Sequence, residues 1–318
     1  MKILVTGGAG FIGSHIVERL LKDGHSVVVL DNFSSGKEEN LFFTKDYTQN
    51  ANRYTLIKGD ICDKETCLKA TKGVDAILHQ AALRSVPKSM TTPHEYNKVN
   101  IDGTLNMLEA ARENKVKRFA MASSSSAYGD TDKFPQQETD YPKLISPYAL
   151  SKLAGEYYCR IFSEHFGVET VCLRYFNVFG PKQALDDEYA VVIPKFIHCI
   201  LNDQQPPIFG TGKQSRDFTY IDNVVEANIL AATTPGIKHE FLNVANGQDN
   251  TVLQLVELLN KIIGKTIEPK LLPLRAGDVF RTLADISKIK RVLNFEPKVN
   301  FEEGLRRTVA WFKIALNK

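Results

Sequence analysis

The stretch that most constrains what this chain can fold into is Gly7-Gly8-Ala9-Gly10-Phe11-Ile12-Gly13. It lies between the short apolar run Lys2-Ile3-Leu4-Val5-Thr6 and a helical pattern from Ser14 to about Lys22. Glycines at Gly7, Gly10 and Gly13 let a backbone turn tightly, approach a pyrophosphate and pack the following helix on the sheet. The helix start then offers unbonded N–H groups and the positive end of its dipole to the phosphates. A lone glycine loop is a weak sign; here it has a strand before it, a helix after it, and an acid at the end of the next strand. That strand, Ser26 to Leu30, ends at Asp31. A carboxylate there can accept hydrogen bonds from the adenosine ribose and would repel a 2′-phosphate, so NAD is expected over NADP.

Further apolar strands are predicted at Tyr54 to Ile57, Ala76 to His79, Arg118 to Ala122 and Glu169 to Leu173. Helical patterns fill Val99 to Glu113 and Tyr148 to about His165. This alternation predicts an α/β fold, a doubly wound parallel sheet covered on both faces. Ligands bind at the carboxyl ends of such strands. The polar clusters fall there: Asp31, Asp60, Gln80, Ser123-Ser124-Ser125-Ser126 and Asn177. After Asn177 the pattern loosens. Residues 180–217 are rich in Pro, Gly and charge around one apolar segment, Val191 to Leu201. A helix near Asp222 to Ala232 and a strand near Phe241 to Val244 look like a return to the sheet, and helices are predicted at Val252 to Ile263 and Phe301 to Leu316. The expected organisation is an NAD-binding domain over residues 1–177, with the chain returning at about 219–245. A smaller α/β C-terminal substrate domain would be built from 178–218 and 246–318.

Bulk properties exclude several classes. A net charge of +3 over 318 residues gives no footprint for nucleic acid or a membrane surface. No apolar run reaches the length of a membrane span, and no signal-peptide pattern opens the chain. The five cysteines, Cys62, Cys67, Cys159, Cys172 and Cys199, are scattered and give neither zinc spacing nor a CxxC. Reduced thiols and a cytoplasmic setting are expected, with no metal.

In Ser146-Pro147-Tyr148-Ala149-Leu150-Ser151-Lys152, Pro147 suits the first turn of a helix. Tyr148 and Lys152 then share one face. A phenol titrates near ~10 and is a poor base at neutral pH, but a nearby ammonium favours the phenolate. The same spacing occurs on ordinary helix surfaces, so the pair gains meaning only from its position after a serine-tipped strand in a sheet that begins with a dinucleotide loop.

The glycine loop, the serine run, Tyr148-x-x-x-Lys152 and Arg174-Tyr175-Phe176-Asn177 together resemble the extended short-chain dehydrogenase/reductase family. More narrowly they resemble its nucleotide-sugar 4-epimerases, along essentially the whole chain. Ala81-Ala82-Leu83-Arg84-Ser85-Val86-Pro87-Lys88-Ser89, Ser215-Arg216-Asp217-Phe218 and Gly277-Asp278-Val279 are similar to the enzymes acting on UDP-N-acetylhexosamines. The resemblance implies that Tyr148 takes the sugar 4-hydroxyl proton, directly or through Ser124. It implies that Lys152 holds the nicotinamide ribose and lowers the tyrosine pKa. Hydride passes from C4 to tightly bound NAD and returns to the other face of a transient 4-keto sugar, with no net redox change.

The same resemblance assigns the cofactor cleft to Gly7, Gly10, Phe11, Ile12, Gly13, Asp31, Asn32, Phe33, Ser35, Gly36, Asp60 and Ile61. It adds Gln80, Ala81, Ala82, Asn100, Ser123, Tyr148, Lys152, Tyr175 and Val178. It assigns the UDP-sugar to Arg84, Ser85, Ser124, Ser125, Asn177, Val192, Arg216, Arg275, Asp278 and Thr282. Arg216 and Arg275 match pyrophosphate ligands and Asp278 a ribose acceptor. A homodimer through a helix bundle is also implied.

Thr282 falls where the family's sugar-pocket gate sits. A small residue admits an N-acetyl group at C2, which favours UDP-GlcNAc/UDP-GalNAc with UDP-Glc/UDP-Gal also accepted. A UDP-glucuronate 4-epimerase or another UDP-sugar-modifying enzyme stays open, since Arg84 and Lys88 can neutralise a carboxylate. A dehydratase is disfavoured because Ser125 and Ser126 stand where its Asp-Glu pair would be. A non-catalytic NAD-sensing protein would be expected to lose Tyr148 or Lys152, and both are present.

Overall fold

The structure, a computed structural model, describes residues 1–45, 47, 53–185, 192–273 and 279–316. The glycine loop follows β1 (Lys2–Thr6), and the pattern repeats through β2 (Ser26–Asp31), β3 (Tyr54–Lys58), β4 (Ala76–His79), β5 (Arg118–Ser124) and β6 (Glu169–Tyr175). Short strands β7 (Val178–Phe179), β8 (Pro207–Phe209), β9 (Ser215–Asp217) and β10 (Thr219–Tyr220) come next. Then β11 (His239–Val244) rejoins the sheet beside β6, as the return at Phe241 predicts. β12 (Asp249–Thr251) and β13 (Lys270–Leu272) close the strand list.

The central sheet runs β11-β6-β5-β4-β1-β2-β3, and every pairing in it is parallel. Strand side chains alternate between two apolar cores, which is why these runs read as continuous hydrophobics. Ile3, Val5, Val27, Val29, Leu78, Val171 and Leu173 face the Phe11–Lys22 and Ile221–Thr233 helices. Leu4, Val28, Leu30, Ile77, Phe119, Met121 and Cys172 face the Lys64–Thr71, Gly103–Glu113 and Pro147–Phe166 helices. Strand order reverses between β1 and β4, and a doubly wound sheet opens its ligand crevice at such a point.

Two elements extend the sequence reading. β5 runs on to Ser124 and β6 to Tyr175, so the serine run starts inside the sheet rather than after it. The single helix expected over Val99 to Glu113 is broken by a π-helical turn at Asn97–Asp102 before Gly103–Glu113. The cause is local. The Asn100 amide leaves the helix surface to bond Leu83 O at 3.0 Å and Ser151 Oγ at 2.9 Å, and its carbonyl oxygen Oδ1 accepts from Leu83 N at 2.8 Å. A widened turn is the means by which a helix turns one residue aside.

Candidate active site

The glycine loop is built for close approach. Gly7 has a φ of +67°, and a Cβ there would stand 2.8 Å from Ala81 N; a Cβ on Gly13 would stand 2.1 Å from Gly7 O. Both positions therefore exclude side chains on steric grounds. The Phe11–Lys22 helix begins at Gly10 with no side-chain cap, leaving its first-turn N–H groups facing the crevice. Asp31 Oδ2 accepts from Ala9 N at 2.9 Å and Oδ1 from Phe33 N at 2.8 Å. Each oxygen keeps a second lone pair for a ribose hydroxyl. Beyond the end of the neighbouring β3, the Asn32 amide donates to Asp60 Oδ2 at 2.9 Å and Cys62 N to Oδ1 at 2.8 Å. Burial works against the Asp60 charge, yet these donors hold its carboxyl below the usual range.

The Pro147–Phe166 helix starts at Ser146, whose hydroxyl accepts from Ala149 N at 3.1 Å, with Pro147 in the first turn. Gly155 lets the helix lie on β5, since a Cβ there would meet Met121 Sδ at 2.8 Å. That approach brings Lys152 Nζ to 2.9 Å from Ala122 O. It also sets the Tyr148 phenol beside Ser124, whose hydroxyl favours the phenolate. Ser124 Oγ in turn accepts from Ser126 N at 3.1 Å. Tyr96 packs edge-on against Tyr148, 6.3 Å between centroids, and donates its hydroxyl to Ser85 O at 2.7 Å.

Burial sets the electrostatics around Tyr148 and Lys152. Burial dominates and raises the phenol, with the Ser124 hydrogen bond and the Arg84 charge opposing it. The Lys152 ammonium lies 6.0 Å from the Tyr148 ring centroid and is spent on Ala122 O. Its own pKa is pushed down to about 8 by burial, with Glu156 acting the other way.

One cleft of about 1120 Å³ is lined by Gly7, Gly10, Phe11, Ile12, Gly13, Asp31, Asn32, Ser35, Gly36, Asp60, Ile61, Gln80, Ala81 and Ala82. Arg84, Ser85, Ser123, Ser124, Tyr148, Lys152, Tyr175, Asn177 and Val178 line it too. That volume exceeds the roughly 300–1,000 Å³ of ordinary small-molecule sites. Other expected residues fall elsewhere. The Phe33 ring packs on the apolar core beneath the loop and lies 5.3 Å from Lys58 Nζ. Asn100 is buried behind the cleft wall, its amide consumed by Leu83 and Ser151. Ser125 opens a 3-10 turn, Val192 opens a helix, and neither lines the cleft. Arg216 lies on β9, bonding Ser215 O at 2.8 Å and Phe280 O at 3.2 Å. Thr282 is buried behind Asn177 rather than at the cleft surface, and its hydroxyl accepts from Asn177 Nδ2 at 2.9 Å. Arg275 and Asp278 lie outside the described residues.

Sequence reasoning missed the residues that hold this wall. Glu156, fully buried, accepts from the Ser123 hydroxyl and bonds Arg174 through two contacts, at 2.8 and 2.7 Å. Its only signal was position, one turn beyond Lys152 on the same face. Asn228 joins Gln80 at 2.9 Å and Tyr175 at 3.0 Å, bridging two strand ends from the Ile221–Thr233 helix. Nothing local in the sequence points to that pairing. Among the described residues no group of His, Cys, Asp and Glu could hold a metal ion, and no helix is long and apolar enough to cross a membrane.

Fold, loop and Tyr-Lys helix define an NAD-dependent oxidoreductase-type site on a doubly wound sheet. A sequence profile for the NAD dependent epimerase/dehydratase family matches residues 3–245. The UDP-N-acetylglucosamine 4-epimerase of Methanobrevibacter ruminantium M1, solved with UDP-N-acetylmuramic acid, is 42% identical, with a TM-score of 0.92 over 99% of this chain and 98% of that one. The UDP-glucose 4-epimerase of Thermotoga maritima, solved with UDP-glucose, is 40% identical, with a TM-score of 0.92 over 99% and 100%. The UDP-glucuronic acid 4-epimerase of Bacillus cereus, solved with UDP-glucuronic acid and NAD, is 33% identical, with a TM-score of 0.90 over 99% and 100%. The chain belongs to the NAD-dependent epimerase/dehydratase family. Within it, it sides with the nucleotide-sugar 4-epimerases, which are NAD-dependent isomerases. The residues fit the cofactor: a loop that admits no Cβ at Gly7 or Gly13, an uncapped helix start facing it, and a carboxylate with lone pairs to spare.

Proposed function

We propose that this protein inverts C4 of a UDP-hexose, preferring UDP-GlcNAc/UDP-GalNAc and also accepting UDP-Glc/UDP-Gal. The observation that carries the reading is the placing of Tyr148 and Lys152 with Ser124 at the carboxyl edge of β5, in the same cleft as the dinucleotide loop. When bound, NAD supplies the reversible hydride acceptor that such an inversion needs, and a positive ring charge with it. Tyr148 Oη takes the 4-hydroxyl proton and later returns it, and Ser124 relays or steadies that proton. Lys152, fixed to Ala122 O, orients the ribose beside it. Residues 178–218 and 246–318 form the nucleotide-sugar half of the reading. There Arg216, Arg275 and Asp278 take the diphosphate and uridine ribose, since a pyrophosphate is best met by planar cationic donors.

The preference for an N-acetylated sugar rests on the small side chain of Thr282 behind Asn177, and the 42% identity to a UDP-GlcNAc 4-epimerase agrees with it. Arg84 on the cleft wall favours a second reading, a UDP-glucuronate 4-epimerase. Incubation with UDP-GlcNAc, UDP-Glc and UDP-GlcA separately, without added NAD, decides between them by NMR. C4 inversion fastest on UDP-GlcNAc is expected. Inversion of UDP-GlcA alone would replace the substrate assignment, and no conversion of any of the three would overturn the function.

The reading includes a homodimer and a cytoplasmic setting, the latter in keeping with five free cysteines. Leu150, Tyr157 and Ile161 share one face of the Pro147–Phe166 helix and are 51%, 53% and 44% exposed. An apolar stripe of that kind on an active-site helix suits a second copy of the same helix. Cys159 and Phe162, by contrast, belong to the core beneath. Light scattering at micromolar concentration is expected to give twice the 35.6 kDa chain mass, and Leu150→Glu with Tyr157→Glu to give the monomer. A monomeric wild type would defeat the dimer.

A further inference from the structure

His79 is buried at the end of β4, directly under the cleft, and takes no part in the chemistry above. Its ring is bonded at both nitrogens. Nδ1 lies 2.8 Å from Thr6 Oγ1 and Nε2 lies 3.1 Å from Thr104 Oγ1. The neighbours determine the direction of each bond. Thr104 gives its one hydroxyl hydrogen to Asn100 O at 2.6 Å, so it can only accept from His79. His79 therefore carries its proton on Nε2, and Nδ1 accepts from the Thr6 hydroxyl. Thr6 Oγ1 in turn accepts from Ala81 N at 3.2 Å. Burial pushes the imidazole down to about 3, so the neutral ring that this chain of bonds requires is the stable form at physiological pH.

The chain does not stop at Asn100. The Asn100 amide donates to Ser151 Oγ at 2.9 Å, and the Ser151 hydroxyl donates to Tyr148 O at 2.8 Å. At one end stands Ala81, the backbone that packs against Gly7 of the dinucleotide loop. At the other stands the turn that carries Tyr148. The π-helical turn at Asn97–Asp102 is the link between them.

We propose that His79 is a positioning residue that ties the Ala81 wall of the cofactor crevice to the Tyr148 turn through Thr6, Thr104, Asn100 and Ser151. This rests on the reading of Tyr148 as the proton acceptor. The imidazole suits the task because it is rigid and offers one donor and one acceptor on opposite edges. Cutting the chain at His79 leaves both ends in place but no longer fixed to each other. Misplacement on that scale is costly in turnover and cheap in substrate binding.

The test uses the full-length protein with NAD, and compares His79→Leu, His79→Gln and Thr104→Val with wild type. Gln retains one donor and one acceptor; Val removes the link at Thr104 without touching the imidazole. His79→Leu and Thr104→Val are expected to lower kcat about ten-fold or more with KM for the UDP-sugar changed less than about two-fold. They are also expected to raise the NAD dissociation constant about five-fold, read by fluorescence of Trp311, the single tryptophan, which lines the same cleft. His79→Gln is expected to recover most of both losses. Equal losses in Gln and Leu, or losses that follow the melting temperature alone, would reduce His79 to a packing residue. If His79→Leu does not fold, Thr104→Val with unchanged kcat and NAD affinity overturns the proposal by itself. A wild type that binds NAD but inverts no UDP-sugar overturns the functional reading instead, and the NAD measurement still reports on His79.

Discussion

Tyr148→Phe is expected to lower kcat by about 10²- to 10⁴-fold, the usual worth of a positioned general base, while NAD stays bound. The phenol ring is buried between Tyr96 and the serine-tipped end of β5, so Phe keeps the packing and loses only the hydroxyl. Loss of that oxygen removes the hydroxyl that stands beside Ser124, while Lys152 Nζ is held by Ala122 O. Ser124 alone cannot replace it, because a serine hydroxyl is far too weak an acid and base near neutrality. Ser124→Ala should do less and do it differently. Its hydroxyl favours the phenolate and so opposes the effect of burial, and removing it lets the phenol rise further. The acid limb of the kcat/KM profile is then expected to move to higher pH, with activity partly recovered there. Turnover retained in Tyr148→Phe would remove this residue from the base role, and an unmoved pH limb in Ser124→Ala would remove Ser124 from contact with it.

The parts of this site legible from the sequence are those whose chemistry is written locally. Gly7, Gly10 and Gly13 sit in a run of seven residues, and their spacing already encodes the close approach to Ala81 and to the loop itself. Asp31, Asp60 and Gln80 were visible because each ends an apolar strand. Every strand of the central sheet was placed by its hydrophobic run, including the late return of β11. What stayed hidden depends on contacts between distant segments. Glu156 and Arg174 form a buried pair joining a helix to a strand, and Asn228 reaches Gln80 across 148 positions of chain. Thr282 was read as the sugar-pocket gate from its place in a motif, and the motif gave no sign that its hydroxyl meets Asn177, 105 positions away. The π-helical turn was invisible because periodicity registers apolar positions, and the cause of the turn is a polar side chain bonding outward.

The opening of the Pro147–Phe166 helix also explains why one of its residues weakens the fold it belongs to. Lys152 is buried with a folded pKa of about 8 against 10.5 for the free side chain. Desolvation is the main cause, so the folded state disfavours the ammonium. The sign follows directly. Folding carries a penalty that is full below pH 8, fades as pH rises, and vanishes above 10.5, where both states are neutral. At pH 7 the difference is worth about 3 kcal/mol. Replacing Lys152 with Met keeps the length and apolar stem of the side chain and removes the charge. It also leaves Ala122 O without its donor, a loss of about 1 kcal/mol. Lys152→Met is therefore expected to stabilise the NAD-free protein by about 2 kcal/mol at pH 7, an upward shift in melting temperature that shrinks between pH 8 and pH 10.5. In the same variant turnover should collapse if Lys152 orients the ribose beside Tyr148 as proposed. Thermal unfolding of both proteins across that pH range, with turnover measured in parallel, checks the two halves together. A variant that melts at or below wild type at pH 7, or whose advantage does not change with pH, would show that the buried ammonium costs the fold nothing. A gain in stability bought with lost turnover is what separates a lysine kept for chemistry from one kept for packing.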